Sequence, residues 1–489
     1  MTILDQDTWT ERLFDGGWIT PAGGAFDVME PATGKVLGRA GLATPADVAA
    51  SADRAAESQR EWAALPHPER AAVLRRAAGL WAEHADELGE WIVRETGSLR
   101  GKAAFELAVA EQECLEAAAL PSRPYGDLLA SAQPRLSFAE RVPAGVVGVI
   151  APFNFPLILS IRSVAPALAL GNAVVLKPDP RAAVSGGVAL ARVFEEAGLP
   201  AGVLHVLPGA ADVGQALVEH PRVPVISFTG STGAGRVVGE LAGRNLKRAH
   251  LELGGNSALV VLDDVAEGDL DAVVSNAAWG AWFHQGQVCM TTGRHLVHES
   301  VYDAYVDRLV AKADALPVGD PFTEDVAIGP IIDAGQHARV DGLVRATVGA
   351  GATLAAGGPG EGLFYRPAVL TGVRPDMPAY AEEVFGPVAP VVPFSTLDEA
   401  AALASGGAYG LSLGIFSGDG LRAYELARRI PTGIVHINDQ TVDDEANAPF
   451  GGVHASGTGS RFGGAAANVE AFTETRWVTM QSAITPKPF

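Results

Sequence analysis

From residue 146 onward, short runs that are apolar on both faces alternate with alanine-rich stretches of helical spacing. Val146-Val147-Gly148-Val149-Ile150 is the clearest run. It has the pattern of a parallel strand covered by helices on both sides. A helix over 157–170 follows, with a bend expected at Pro166. Strands are then expected over 173–177, 203–206, 225–228 and 246–251, with helices over 183–197, 212–219 and 235–242 between them. This βα repetition predicts a doubly wound, nucleotide-binding region. A second α/β run starts after Gly254-Gly255. Its strands are expected over 257–261, 291–297, 365–370, 388–394 and 433–438. Its helices are expected over 270–282, 300–315, 340–348, 397–403 and 421–429. Ahead of both lie a turn-rich stretch and four expected helices over 45–64, 68–84, 85–96 and 102–118. The segment 119–143 carries Pro121, Pro124, Pro134 and Pro143 and reads as a link with short extended pieces. Residues 474–480 alternate well enough to form an edge strand able to pair across an interface.

Composition narrows the function. A chain of 489 residues is too long for one ordinary core, so two or three domains are expected. The formal charge of −21 argues against nucleic acid and against an anionic membrane surface. No apolar run is long enough to span a bilayer, and residues 1–9 show neither a basic cluster nor an apolar stretch, so no signal peptide is expected. Two cysteines make no disulfide framework, and a reducing, cytoplasmic compartment is the expectation. His284, His295 and His298 lack companion cysteines at zinc-site spacing, so no metal is expected.

Candidate chemistry sits at strand ends and in one cysteine motif. Cys289 follows Gly286-Gln287-Val288, with Trp279, Trp282, Phe283 and His284 before it. A small nucleophile beside bulky apolar groups suits covalent catalysis in a dry pocket, or a buried core thiol. Cys114, among alanine, leucine and glutamate, reads as structural. Asn154 follows the 146–150 strand and is able to donate to an oxyanion, or to cap a loop. Lys177 ends the next strand, where it would meet a ribose hydroxyl or only solvent. Gly230 and Ser231 lie in a strand-to-helix turn where helix amides favour phosphate. Glu252, between two leucines, is a proton acceptor for water or a packing carboxylate. Glu383 would hold ribose hydroxyls and Phe385 would pack on a flat ring; the alternative is a solvated acidic turn.

In their order along the chain, these stretches resemble the aldehyde dehydrogenase superfamily over nearly the whole sequence. The residues that carry the resemblance are Phe153-Asn154-Phe155-Pro156, Phe228-Thr229-Gly230-Ser231-Thr232, Leu251-Glu252-Leu253-Gly254-Gly255, Gly286-Gln287-Val288-Cys289, Glu382-Glu383-Val384-Phe385-Gly386-Pro387 and Pro449-Phe450-Gly451-Gly452. Lys177-Pro178-Asp179-Pro180-Arg181, followed by Gly186-Gly187, is similar to the benzaldehyde and vanillin dehydrogenase branch.

The resemblance implies an α/β fold with a Rossmann-type cofactor domain from residues 1–118 and 144–254 and an α/β catalytic domain over 255–455. A small β oligomerisation element would join 119–143 to the return segment and strand of 456–489, in a homodimer or homotetramer. It implies Cys289 as nucleophile, Asn154 and the Cys289 amide as oxyanion donors, and Glu252 as the base that activates water. Lys177 and Glu383 would grip the two ribose regions, Gly230 and Ser231 would lie near the pyrophosphate, and Phe385 would steady the nicotinamide. The cofactor the resemblance implies is NAD, with NADP possible. Three positions depart from the family pattern: Phe153 replaces a tryptophan, His284 an asparagine, and Pro180 the common ribose-binding glutamate. Loss of that carboxylate relieves repulsion of a 2′-phosphate, and Arg181 is a candidate to attract one. Phe155, Trp282, Phe283 and Phe450 are expected to form an aromatic pocket, with Arg162 as a nearby cation. The resulting reading is oxidation of an aromatic aldehyde to its acid through a thiohemiacetal and a thioester. The alternatives are an aliphatic aldehyde or semialdehyde dehydrogenase, and a non-catalytic structural protein on the same fold.

Overall fold

The run 146–150 is the fully buried strand Val146–Ile150 in this computed structural model, which describes residues 2–487 and 489. Met1 and Pro488, which fall in the expected 1–118 and 456–489 segments, lie outside the described residues. Val146–Ile150 belongs to a seven-stranded sheet. Arg248–Glu252, Val225–Thr229, Val146–Ile150, Ala173–Lys177 and Leu204–Val206 pair in that order, all parallel. In register, Val147 lies between Val225 and Val174. Leu13–Asp15 and Trp18–Ile19 extend the Leu204–Val206 edge in antiparallel sense. Strand order reverses at Val146–Ile150: the next strand lies on one side and Val225–Thr229 on the other. Open α/β sheets bind ligands at such a reversal, outside the strands' carboxyl ends.

A second seven-stranded sheet follows, in the order Thr353–Pro359, Tyr365–Thr371, Val388–Phe394, Thr292–His298, Ser257–Val261, Ser412–Phe416 and Ile434–Ile437. Only its first pair is antiparallel. Apolar cores cover both of its faces. The third sheet places Leu136–Pro143 between Thr473–Met480 and Gly126–Leu128, antiparallel throughout. The proline-rich link and the C-terminal strand thus meet each other.

Several local readings change. The helix Pro156–Ala169 runs through Pro166 without ending. Every residue of it is buried, so packing on all sides outweighs the missing backbone donor. The helix expected over 183–197 begins instead as a π-helical turn, Val184–Val188, and becomes α-helical only over Ala189–Glu196. Its first amides, Val184 and Ser185, donate to the buried Glu95 carboxylate at 2.9 and 2.7 Å. Burial pushes that carboxyl up to about 7. Gly187 allows the close approach, since a Cβ there would stand 2.7 Å from the Pro178 ring. Strands Thr353–Pro359 and Ser412–Phe416 escaped the periodicity altogether. The first carries Gly357 and Gly358 at positive φ, and glycine and serine dilute the apolar signal of the second.

Candidate active site

Two cavities of about 640 Å³ each reach the Val146–Ile150 carboxyl end from opposite sides. Cys289 and Asn154 border both of them. Cys289 arrives there because the helix Leu270–Trp282 gives way to a turn in which His284, Gln285 and Gly286 are left-handed, at φ 49°, 56° and 65°. Gly286 is required at its position, because a Cβ would fall 2.1 Å from the Gly386 carbonyl oxygen. Asn154 is buried, and its Nδ2 donates to the Gln287 carbonyl at 2.9 Å. A side-chain amide has two N–H donors, so one remains for a ligand beside Cys289.

The half-buried Cys289 thiol is pushed up to about 12. Burial is the largest cause, the Glu383 and Glu252 carboxylates add to it, and Arg162 opposes it. Glu252 ends the strand Arg248–Glu252 and is buried. Neither of its carboxyl oxygens has a hydrogen-bond partner. A Cβ on Gly451 would lie 2.8 Å from one of them, so glycine is what leaves Glu252 its space. Burial holds this carboxyl well above the usual range, against the charges of Arg162 and Arg461. Glu252 lines neither cavity; it stands behind the nucleophile, near enough for its charge to act on the thiol.

One cavity is aromatic. Phe155 and Phe283 face each other at 6.2 Å, and Phe450 lies under the Arg162 guanidinium at 4.6 Å. Trp282, expected in this wall, is not there. It is 1% exposed and belongs to the core of the second sheet. Trp279, three residues earlier on the same helix, takes the place and stacks on Phe283 at 4.4 Å. Both indoles have helical spacing to the motif, and only packing decides which one faces inward. Arg162 is not a free cation. Its Nη2 pairs with Asp444 at 2.5 Å, and Glu113 stands 3.8 Å away. Those two carboxylates lie 49 residues before and 282 after Arg162, beyond the reach of any local pattern.

The other cavity is lined by Lys177, Gly230, Ser231, Glu383, Phe385 and Arg181. Ser231 caps the helix Thr232–Arg244, whose first amides face this space. Gly230 has no room for a side chain, since a Cβ would meet the Phe228 ring at 2.7 Å. Glu383 accepts from the Gly255 amide at 3.0 Å, and burial pushes its carboxyl up to about 7. Phe385 takes a left-handed φ of 54° and sets its ring edge-on to Phe153, 6.0 Å away. Burial depresses the Lys177 ammonium, with Asp179 opposing. A phosphate cradle at a helix start, a buried lysine, a buried carboxylate and a ring wall fit a dinucleotide. Arg181 is not a free phosphate ligand: it binds Asp179 and Asp333, each at 2.8 Å, and covers the Phe153 ring at 4.1 Å. Asp179 is therefore a carboxylate of this cavity whose charge is already matched.

Among the described residues, no group of three or more histidine, cysteine, aspartate or glutamate side chains is placed to hold a metal. No helix of them is long and apolar enough to cross a membrane.

The model of the aldehyde dehydrogenase family matches residues 18–478. The chain is 69% identical over 489 residues, all of both chains, to a vanillin dehydrogenase of Amycolatopsis sp.. It is 47% identical over 486 residues, 99% of each chain, to a benzaldehyde dehydrogenase [NAD(+)] of Pseudomonas putida. A salicylaldehyde dehydrogenase from Pseudomonas putida, solved with salicylaldehyde, superposes with a TM-score of 0.93 at 34% identity, covering 98% of this chain and 99% of that one. With a family match over residues 18–478 and a relative 69% identical over its whole length, the chain belongs to the aldehyde dehydrogenase family.

Proposed function

We propose that this enzyme oxidises an aromatic aldehyde of the benzaldehyde or vanillin type to its carboxylic acid, using NAD and accepting NADP. The observation that carries the reading is the position of Cys289 and Asn154 on the boundary between an aromatic cavity and a dinucleotide-shaped one. Relatives named for vanillin, benzaldehyde and salicylaldehyde support it.

The aldehyde ring lies among Phe155, Phe283 and Phe450, with Trp279 as the outer wall. Cys289 Sγ attacks the carbonyl carbon, and the thiol proton passes to solvent. The oxygen of the resulting thiohemiacetal receives the free N–H of Asn154 and the Cys289 amide. Lys177, Ser231, Glu383 and Phe385 would hold the dinucleotide, whose nicotinamide would supply the acceptor for the hydride leaving the substrate carbon. Cys289 is left carrying the acyl group as a thioester. Glu252, short of hydrogen-bond partners, accepts a proton from water, whose oxygen attacks the acyl carbon. The C–S bond breaks, the acid departs and the thiol is restored. Water thus supplies the second oxygen of the product.

The competing substrates fit less well. Arg162 is no free anchor for a carboxylated semialdehyde, because Asp444 and Glu113 already face it. A merely structural role leaves both Cys289 and Glu252 unexplained. The test is a comparison of kcat/KM across benzaldehyde, its hydroxylated relatives and straight-chain aldehydes. The aromatic series is expected to lead. A lead for several straight-chain aldehydes would remove the aromatic assignment.

For the cofactor, NAD is expected to be preferred and NADP turnover to be measurable. The Asp179–Arg181 pair neither strongly repels nor strongly attracts a 2′-phosphate. Arg181→Ala would uncover the Asp179 charge, and the NADP to NAD ratio of kcat/KM is expected to fall roughly tenfold. An unchanged ratio would place the 2′-phosphate away from this pair.

The same reading assigns cofactor binding to 1–118 and 144–254, catalysis to 255–455, and assembly to 119–143 with 456–489. The third sheet exposes Leu128, Trp477 and Met480, which suits a contact between copies in a homodimer or homotetramer. A cytoplasmic location suits the two free thiols.

A further inference from the structure

Beside Asn154, with Lys102 in the wall of the aromatic cavity, lies a buried ion pair that the mechanism above does not use. Lys102 and Glu106 stand one turn apart on the helix Arg100–Ala119 and are 1% and 0% exposed. The Lys102 ammonium pairs with Glu106 and donates to the Asn154 backbone oxygen at 2.7 Å. It also sits over the Phe155 ring, 4.4 Å from its centre. The second Glu106 oxygen accepts from the Leu157 and Ile158 amides at 3.0 and 3.3 Å. Those amides open the helix Pro156–Ala169, which has no side-chain cap of its own. Two side chains from one helix therefore hold residues 154, 155, 157 and 158.

Burying such a pair is costly, and well-packed apolar residues of similar volume often serve stability as well or better. Stability alone is a poor reason to keep it. Its bonds beyond the pair itself go to one short segment, the one that carries the oxyanion donor. The neighbouring His284 imidazole adds no second charge. Its ring packs edge-on to Phe155 at 5.6 Å, and burial together with the Lys102 charge keeps it neutral, well below the usual histidine range.

We propose that Lys102 and Glu106 are positioning residues for the oxyanion site: they fix the Asn154 backbone so that the free N–H of its side chain meets the carbonyl oxygen of an aldehyde bound to Cys289. The proposal rests on Asn154 as the oxyanion donor. Lys102 holds the backbone at one end of Asn154, and the Gln287 carbonyl holds the side chain at the other. Displacement of a catalytic group by about 1 Å is enough to cost on the order of 100-fold in rate.

The test uses the full-length enzyme with saturating NAD and benzaldehyde, following reduced-nicotinamide formation in a single turnover. Lys102→Met is expected to slow this step by roughly 10- to 100-fold, with KM little changed. Glu106→Gln keeps an acceptor for the two amides and should slow the same step less. Asn154→Ala should slow it on its own, and Lys102→Met should then add almost nothing in the Asn154→Ala background. Equal fold losses in the two backgrounds would mean that Lys102 acts elsewhere, and would overturn the proposal. So would an unchanged single-turnover rate in a folded Lys102→Met enzyme. If Lys102→Met fails to fold, Glu106→Gln takes its place in the same cycle. An Asn154→Ala enzyme with wild-type speed would sink the oxyanion assignment itself, a result distinct from the failure of the pair.

Discussion

Cys289→Ser is expected to lower turnover by at least ~1,000-fold while cofactor affinity stays near normal. The reason lies in the surroundings of the sulfur. Burial, with the Glu383 and Glu252 carboxylates adding to it, already pushes the thiol up to about 12. A serine hydroxyl is far less acidic than a thiol, and in the same field it would be harder still to ionise. It also lacks the polarisable orbital that lets sulfur attack a carbonyl readily. The dinucleotide cavity keeps Lys177, Glu383, Phe385 and the Ser231 cap, so nothing that binds cofactor is lost. Steady-state rates and a fluorescence titration with cofactor would separate the two effects. Near-normal oxidation by the serine variant would remove Cys289 from its role.

Glu252→Gln is expected to divide the reaction in time. Rapid mixing should show a burst of reduced cofactor close to one equivalent per active site, followed by a steady state slowed by roughly 100-fold or more. Glutamine keeps the shape of the side chain but takes no proton. The wild-type steady state carries a second signature. Burial raises the Glu252 carboxyl well above its ordinary range, so its basic form is gained as pH rises through that shifted value. Turnover should climb with pH over that interval, and the climb should be absent from the glutamine variant. Equal slowing of burst and steady state would count against Glu252 as the water base.

The parts of this enzyme that were legible in its sequence are those where one local pattern allows one answer. Val146–Ile150 is apolar at every side chain, which suits a strand covered on both faces and little else. Asn154, Glu252 and Cys289 stand in short motifs whose order along the chain is itself information. Other features depend on partners far away. Arg181 looked free because sequence does not show that its side chain turns onto Asp179, two residues before it, and its second partner, Asp333, is 152 residues distant. Lys102 carried no signal because its acceptor is the backbone of Asn154, 52 residues on, and a backbone oxygen leaves no mark in a sequence. Trp279 and Trp282 were indistinguishable until the core claimed one of them. Ser412–Phe416 was passed over because Gly414 lacks the side chain that periodicity counts. In the fold a Cβ there would press the Asp439 carbonyl at 2.9 Å.

The shared boundary at Cys289 and Asn154 has a consequence for traffic. The aldehyde cavity has the exposed Trp279 at its rim, and the dinucleotide cavity has the exposed Val237 at its own. Each cavity thus has its own exposed rim, and the two share only Asn154, Leu159 and Cys289 among their lining residues. On the proposed reading, an acid formed on the sulfur departs over the Trp279 rim while the spent dinucleotide is still seated in the other cavity. Neither exit blocks the other, so the order of departure is a matter of relative grip rather than of architecture.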